Sequence, residues 1–387
     1  MRLPVFNAPN LAMRYRATSA PRPHYDLRCG DAARELQSVP SCSVDAIICD
    51  PPYGYSDYPV DKLKSMMSAW ARCEDVVASG RTGIFNQEWD GCVVQPSAWA
   101  EAGRVLKPGG NLFVFAGPRT DDLVSIPIRI AGFERTGAIT WIYRNGFPLY
   151  ADLGVEIDKI EGVESRIIPG TEHRLVGDTR GRRHADSVVH QTLRTKVKHP
   201  SKRAASDIGK LASDFRAGLK RAHETILTFR KPAGTSLPLA QIDWGVGGLN
   251  IGSVRQTDSD IDQHADAQPE LRGRYAADVI GDLAEDGNDY FYQPKASPGE
   301  ALKYLPAGST KHPCVKPIDL MRWLVRLAGV RSGGVILDPF MGSGTTGIAA
   351  VLEERRFIGI DACHDWVEAS RARIEGWLAA QGQGGET

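Results

Sequence analysis

Along the chain, apolar positions switch between two rhythms, the short unbroken runs of buried strands and the three-to-four-residue spacing of helices. VDAIICD (44–50) is an apolar run ending on an acid, and 61–78 carries helical spacing. PSAWAEAGRVLKPGG (96–110) predicts a helix closed by two glycines, with strand NLFVFAG (111–117) directly behind it. A helix through about 131 and a strand at AITWIYR (138–144) follow. Such a βα series predicts a mostly parallel sheet with helices on its faces.

Between about 151 and 240 the rhythm breaks and long apolar runs become scarce, while the polar segment 257–274 reads as an exposed loop. It returns with helix 319–329, strand 334–338, a glycine-rich turn, helix 346–354, strand 356–361 and helix 364–378. The expected architecture is one α/β domain assembled from 1–150 and 241–387, interrupted by an inserted module at 151–240. No internal repeat is found.

Composition narrows the class. A chain of 387 residues, 42% hydrophobic, can bury a full core. No stretch approaches the roughly 20 apolar residues of a membrane span, and MRLPVFNAPN lacks the apolar run of a secretory signal, so a cytoplasmic location without a membrane partner is expected. Seven cysteines without a Cys-x-x-Cys pair read as reduced thiols. The formal net charge of 0 hides an asymmetry: 157–231 holds 17 Lys and Arg against nine Asp and Glu, and 233–290 holds three against eleven. A basic block is either solvated surface or a phosphate-binding face, and composition does not choose between them.

Two motifs carry chemistry. GVILDPFMGSGTTGIAA (334–350) places Gly342 and Gly344 between a strand and a helix, where glycine permits a tight turn and the helix N-terminus offers free N–H groups. A phosphate loop for triphosphates requires a Lys that GSGTTG lacks, and the dinucleotide fingerprint G-x-G-x-x-G is not matched either. Asp361, closing the next strand 17 residues beyond Gly344, stands near the spacing at which an acid accepts ribose hydroxyls. A nucleoside-type cofactor is expected, against the alternative of a purely structural turn.

The second motif is DPPYG (50–54). Pro51 and Pro52 stiffen the backbone and remove two donors, which leaves carbonyls and the Asp50 carboxylate as acceptors beside the Tyr53 ring. Such a site suits a planar group bearing NH₂, held by its hydrogens and stacked on its face. On its own, this tripeptide can equally be a rigid loop.

Taken together, DPPYG and DPFMGSGTT resemble the catalytic and cofactor motifs of DNA amino-methyltransferases of the beta arrangement, in which the catalytic motif comes first. The resemblance implies a Rossmann-like S-adenosylmethionine-dependent fold with circularly permuted motif order, acting on the N6 amine of adenine in double-stranded DNA. Asp50, Pro51, Pro52 and Tyr53 are then catalytic. Asp338, Phe340, Gly342, Ser343, Gly344, Thr345 and Asp361 bind the cofactor. CGDAARELQSVPSCSVDAIICDPPYG (29–54) is similar to the family's lead-in and implies Asp31 near the cofactor's adenine, while KHPCVKPIDLMRWLVRL (311–327) implies Lys316 and Pro317 at its methionine end. Segments 89–120, 146–159 and 219–232 look like a phage and prophage subgroup, from which Leu149 and Arg221 depart. Residues 151–240 become a target-recognition insert. A homodimer and a cognate restriction endonuclease stay open as partners.

N4 of cytosine is the alternative target, since Asp at the first motif position resembles adenine enzymes more often than cytosine ones. A catalytically inactive DNA-binding accessory protein is the alternative from another class. Pro313-Cys314 resembles the nucleophile of cytosine carbon-5 enzymes, but DPPYG already stands where that thiol is needed. The spacings of His173, His184, His190 and His199 fit no ligand set, so no metal is expected. In DYFYQPK (289–295), Phe291 is expected in the core, with Tyr292 and Lys295 left open.

Overall fold

The computed structural model describes residues 24–56, 58–76, 91–143, 152–168, 202–213, 215–219, 222–254, 277–281, 295–306, 309, 312 and 314–383. The expectations for Leu149, Arg221, Phe291, Tyr292, segment 257–274 and the four spaced histidines lie outside these residues. Two compact units are found, Met1–Ile142 with Glu224–Ala307 and Lys311–Thr387, and Tyr143–His223 with Gly308–Thr310. No described helix is long and apolar enough to cross a membrane.

The larger unit is built on a sheet of β1 (Tyr25–Cys29), β2 (Val44–Cys49), β3 (Leu106–Ala116), β4 (Glu134–Ile142), β7 (His223–Arg230), β8 (Val279–Gly281), β9 (Val335–Asp338) and β10 (Arg356–Asp361). Their spatial order is β1-β10-β9-β2-β3-β7-β4-β8. The pairs β1–β10, β10–β9, β9–β2 and β2–β3 are parallel, and β3–β7 is antiparallel. All six residues of β2 are buried, as expected of an unbroken apolar run covered on both faces. Its one acid, Asp45, takes the Lys107 ammonium at 2.6 Å and the Val335 N–H at 2.8 Å, which ties β2 to the starts of β3 and β9.

The sheet is flanked by α1 (Ala32–Leu36), α2 (Val60–Ala71), α3 (Pro96–Val105), α4 (Asp121–Ile130), α7 (Leu237–Trp244), α8 (Pro298–Leu302), α9 (Ile318–Leu327), α10 (Thr345–Leu352) and α11 (His364–Gln383). The interior between α3, α4 and the sheet is closed by Trp70, Trp99, Leu112, Val114 and Phe229.

Two expectations are corrected. Helix α3 ends at Val105, and Lys107–Gly110 already belong to β3. The Gly109 N–H donates to Lys231 O and the Lys231 N–H to Gly110 O, both at 3.0 Å, so the two glycines serve the sheet and not the helix end. Residues 224–240 were expected in the insert, yet β7 pairs with β3 from Asn111↔Arg230 to Ala116↔Thr225 and buries Ile226, Leu227 and Phe229. The apolar half of HETILTFR is a strand that needs both neighbours to cover it.

In the smaller unit, α5 (Leu153–Glu161) and α6 (Asp207–Leu211) accompany a two-stranded ribbon of β5 (Arg166–Ile167) and β6 (Lys202–Arg203). Asp158, fully buried, accepts from Ser165 Oγ at 2.7 Å and from the Ala205 and Ser206 N–H groups at 2.7 and 3.0 Å. That carboxylate fixes the entry to α6, as a buried acid must be satisfied by donors. Gly154 packs so close to the Gly209 carbonyl that a side chain there would collide.

Candidate active site

The parallel strands β2 and β9 pair through Ala46↔Ile336 and Ile47↔Leu337, so DPPYG and the glycine-rich loop leave neighbouring carboxyl ends. That is where open α/β sheets bind ligands. After β2, Gly54 takes a φ of +63° and the Thr120 hydroxyl donates to Tyr53 O at 2.6 Å, which fixes the turn. Gly117, directly after β3, packs against the Tyr55 and Tyr53 rings: an added Cβ would collide with the Tyr55 hydroxyl and lie 2.9 Å from Tyr53 Cδ2.

Four side chains converge here. The Tyr53 hydroxyl donates to Asp50 Oδ1 at 2.7 Å and lies 3.3 Å from Glu224 Oε2. The Lys316 ammonium donates to Asp50 Oδ2 at 2.6 Å, and stands 3.2 Å from Glu224 Oε2 and 3.3 Å from the Tyr53 hydroxyl. Lys295 reaches Glu224 Oε1 at 3.4 Å. The Lys316 ammonium also lies 4.8 Å from the Phe115 ring centroid.

Burial raises the Asp50 pKa and Glu224 adds to this, while Lys316 works against it. For Lys316, burial favours loss of the proton, but Asp50 and Glu224 outweigh it and hold the ammonium firmly charged. Burial opposes ionisation of Glu224 as well, yet Lys316 and Lys295 bring it below the usual range. Tyr53 is pushed well up by burial and by both acids, so it stays a hydroxyl that donates.

The resemblance assigns Lys316 to the methionine end of a cofactor. In the structure its ammonium is committed to the DPPYG carboxylate, because two buried acids compete for one cation. Pro317 is buried and caps α9.

In the loop after β9, Gly342 and Gly344 have φ of +51° and +77°. Asp361, assigned to ribose hydroxyls, turns both oxygens to the backbone: Oδ2 accepts from the Gly342 N–H and Oδ1 from the Cys363 N–H, each at 2.9 Å. Each oxygen keeps a second lone pair for a ligand. Asp338 points inward, where Oδ1 takes the Phe340 N–H at 2.9 Å and Oδ2 the Thr346 hydroxyl at 2.6 Å. Burial lifts Asp338 to about 7 and Asp361 to about 6. The Phe340 ring meets Trp99 edge-on at 5.9 Å.

From behind, α11 braces the loop. The Ser370 hydroxyl donates to Gly342 O at 2.7 Å, and Arg373 donates to Ser343 O at 2.6 Å, Ser343 Oγ at 2.9 Å and Thr345 Oγ1 at 3.3 Å. Burial lowers Arg373 to about 10, which leaves it charged at neutral pH. His312 packs edge-on to Trp366 at 4.6 Å and lies 3.3 Å from where a Gly342 Cβ would stand. Its Nδ1 accepts from the Cys314 N–H at 3.3 Å, and burial, with Lys316 nearby, lowers it to about 3, so the ring is neutral.

At the far side of the loop, β1 pairs with β10 through Cys29↔Asp361, and Asp31 follows. Asp31 Oδ1 caps α1 by accepting from the Arg34 N–H at 3.1 Å. Two carboxylates thus flank a glycine loop at the head of a helix, acceptors suited to a nucleoside that bears hydroxyls and a cation. Among the described residues no group of acids, histidines and cysteines could hold a metal ion.

Sequence reasoning missed Glu224 and Arg373 as site residues. Glu224 opens an apolar strand inside a basic run, where an acid is out of place. Arg373 falls on the stripe of Trp366, Ser370 and Trp377 at helical spacing, a cation on an apolar face.

Among curated proteins, the type II methyltransferase M2.DpnII of Streptococcus pneumoniae is 40% identical over 24% of this chain and 35% of its own length. M2.MboI of Moraxella bovis is 46% identical over 16% of the chain and 23% of its own length. The chain thus matches about a third or less of these relatives. Among solved structures, the cytosine-N4-specific PvuII DNA methyltransferase aligns at 15% identity over 91% of this chain and 89% of that one, with a TM-score of 0.46. The M1.HpyAVI–SAM complex aligns at 16% identity over 90% and 98%, with a TM-score of 0.42. Scores this low leave the assignment to the family model, which matches residues 44–371, from the start of β2 into α11. The chain belongs to the N6/N4 DNA methylase family.

Proposed function

We propose that this chain is a site-specific DNA methyltransferase that moves a methyl group from S-adenosylmethionine to the N6 amine of adenine. The observation that carries the reading is that Asp50 and the glycine loop leave adjacent parallel strands at the same end. The relatives named above are type II methyltransferases, which agrees with it.

S-adenosylmethionine supplies an electrophilic methyl on a sulfonium. Gly342, Ser343, Gly344 and Thr345 form its loop, with Phe340 at the loop's start, and Asp361 and Asp31 offer acceptors to the ribose and adenine ends. An exocyclic amine lends its lone pair to its ring and is a weak nucleophile. The Asp50 carboxylate and the backbone carbonyls of DPPYG hold its protons, favour a pyramidal nitrogen and aim the lone pair. Tyr53 gives the base a surface. The base must leave the duplex to reach this site. The smaller unit, drawn from the basic stretch, grips the phosphates while a subset of its residues reads base edges.

Sequencing of single DNA molecules from cells expressing the protein tests the reading, since it reports modified base and sequence context together. N6-methyladenine in one recurring context is expected. N4-methylcytosine alone would overturn the adenine assignment, and neither mark would overturn the function.

A further inference from the structure

Both oxygens of Asp50 are taken in this structure, Oδ1 by the Tyr53 hydroxyl and Oδ2 by the Lys316 ammonium. Oδ2 is an acceptor that an incoming amine needs. An ammonium there presents N–H groups to the carboxylate much as the target amine must, so Lys316 occupies the amine's place. For the substrate to bind, Lys316 has to yield.

A buried ammonium cannot be left without a counter-charge. Glu224 supplies one from β7: its Oε2 lies 3.2 Å from Lys316 Nζ. Lys295, 3.4 Å from Oε1, holds the Glu224 side chain in turn. The Lys316 side chain is 9% exposed and the Glu224 side chain 15%, so water offers Lys316 little substitute.

Resting on the function proposed above, we infer that Glu224 is a positioning residue, which retains the Lys316 ammonium when the neutral target amine takes its place at Asp50 Oδ2. Lys316 stays close enough to keep Asp50 ionised, yet it is not locked onto it. The opposing effects on Asp50 fit this division, since Lys316 favours its charged form and Glu224 disfavours it. The titratable groups facing Asp50 are Tyr53 on its own loop, Cys49 on β2, Lys316 before α9, Glu224 on β7 and Asp338 on β9.

The test uses the full chain with S-adenosylmethionine and duplex DNA, comparing wild type with Glu224→Gln and Glu224→Asp. Glu224→Gln is expected to lower kcat by about 10- to 100-fold, the loss of one charge-assisted hydrogen bond, with cofactor affinity unchanged. Its acid limb is expected at lower pH than in wild type, because a negative charge beside Asp50 is gone. Glu224→Asp should recover part of kcat. An unchanged kcat in Glu224→Gln overturns the inference, as does a fall without movement of the acid limb or recovery by Asp, which marks a merely structural residue. A wild type that transfers no methyl removes the proposed function and this inference with it, whereas an active wild type beside an unaffected Glu224→Gln removes the inference alone.

Discussion

Replacing Asp50 by alanine removes the carboxylate that accepts from Lys316 at 2.6 Å and from Tyr53 at 2.7 Å. Stripping a buried ion of its partner ordinarily costs about 3–5 kcal/mol. Here Glu224 still stands 3.2 Å from the ammonium and 3.3 Å from the Tyr53 hydroxyl. The expected loss of stability is therefore nearer that of one charge-assisted hydrogen bond, about 1.5–3 kcal/mol. Activity should suffer more, because the amine loses the charged acceptor that holds its proton. Losses of about 10²- to 10⁴-fold follow removal of such groups, or about 2.7–5.4 kcal/mol of barrier. S-adenosylmethionine binding, which relies on the loop after β9, should persist. Transfer of a labelled methyl to duplex DNA gives kcat, calorimetric titration gives the cofactor Kd, and denaturant unfolding gives stability. A variant that keeps a large part of its activity, or that loses cofactor binding in proportion to activity, would refute the assigned role.

Two further perturbations address the cofactor loop. Gly344→Ala forces a side chain onto a φ of +77° and places its Cβ 2.8 Å from Ser370 Cβ; about 2–5 kcal/mol of destabilisation is expected by denaturant unfolding, together with lost cofactor affinity. Asp338 has its folded pKa lifted by burial to about 7, well above the ordinary carboxylate range of about 4. Folding therefore favours its protonated form, so its contribution to stability is fullest below about pH 4 and is lost as pH rises through about 7. Thermal melts of wild type should show that decline between these values, and Asp338→Asn should flatten it; identical pH slopes would contradict the assignment.

The strands were legible where burial on both faces leaves an unbroken apolar run, as in β2 and in β10, whose predicted limits of 356–361 coincide with the structure. The helix expected to end at Gly109 and Gly110 ended at Val105, because hydrogen bonds to Lys231 recruit those glycines to the sheet. No local signal announces a partner more than a hundred residues away. For the same reason β7 was placed in the insert: its apolar half becomes intelligible only once β3 lies against it.

Within the site, residue types were easier to read than their partners. Asp50 and Tyr53 were singled out by the stiff turn after an apolar strand, and the structure brings them together. Lys316, 266 positions from Asp50, is assigned to the cofactor by the resemblance of its segment, and only the fold reveals the carboxylates that hold it. Asp361 and Asp338 were read as facing a ligand. Asp361 accepts from the Gly342 and Cys363 N–H groups with one lone pair of each oxygen left for a ligand, and Asp338 accepts from the Phe340 N–H and the Thr346 hydroxyl, partners that spacing alone does not announce.

Methyl transfer to an exocyclic amine in DNA is checked by incubating the purified protein with duplex DNA and methyl-labelled S-adenosylmethionine, then digesting the DNA to nucleosides and separating them by mass spectrometry. Labelled N6-methyladenine is the expected product. DNA that carries no label, or label only on carbon 5 of cytosine, would contradict it.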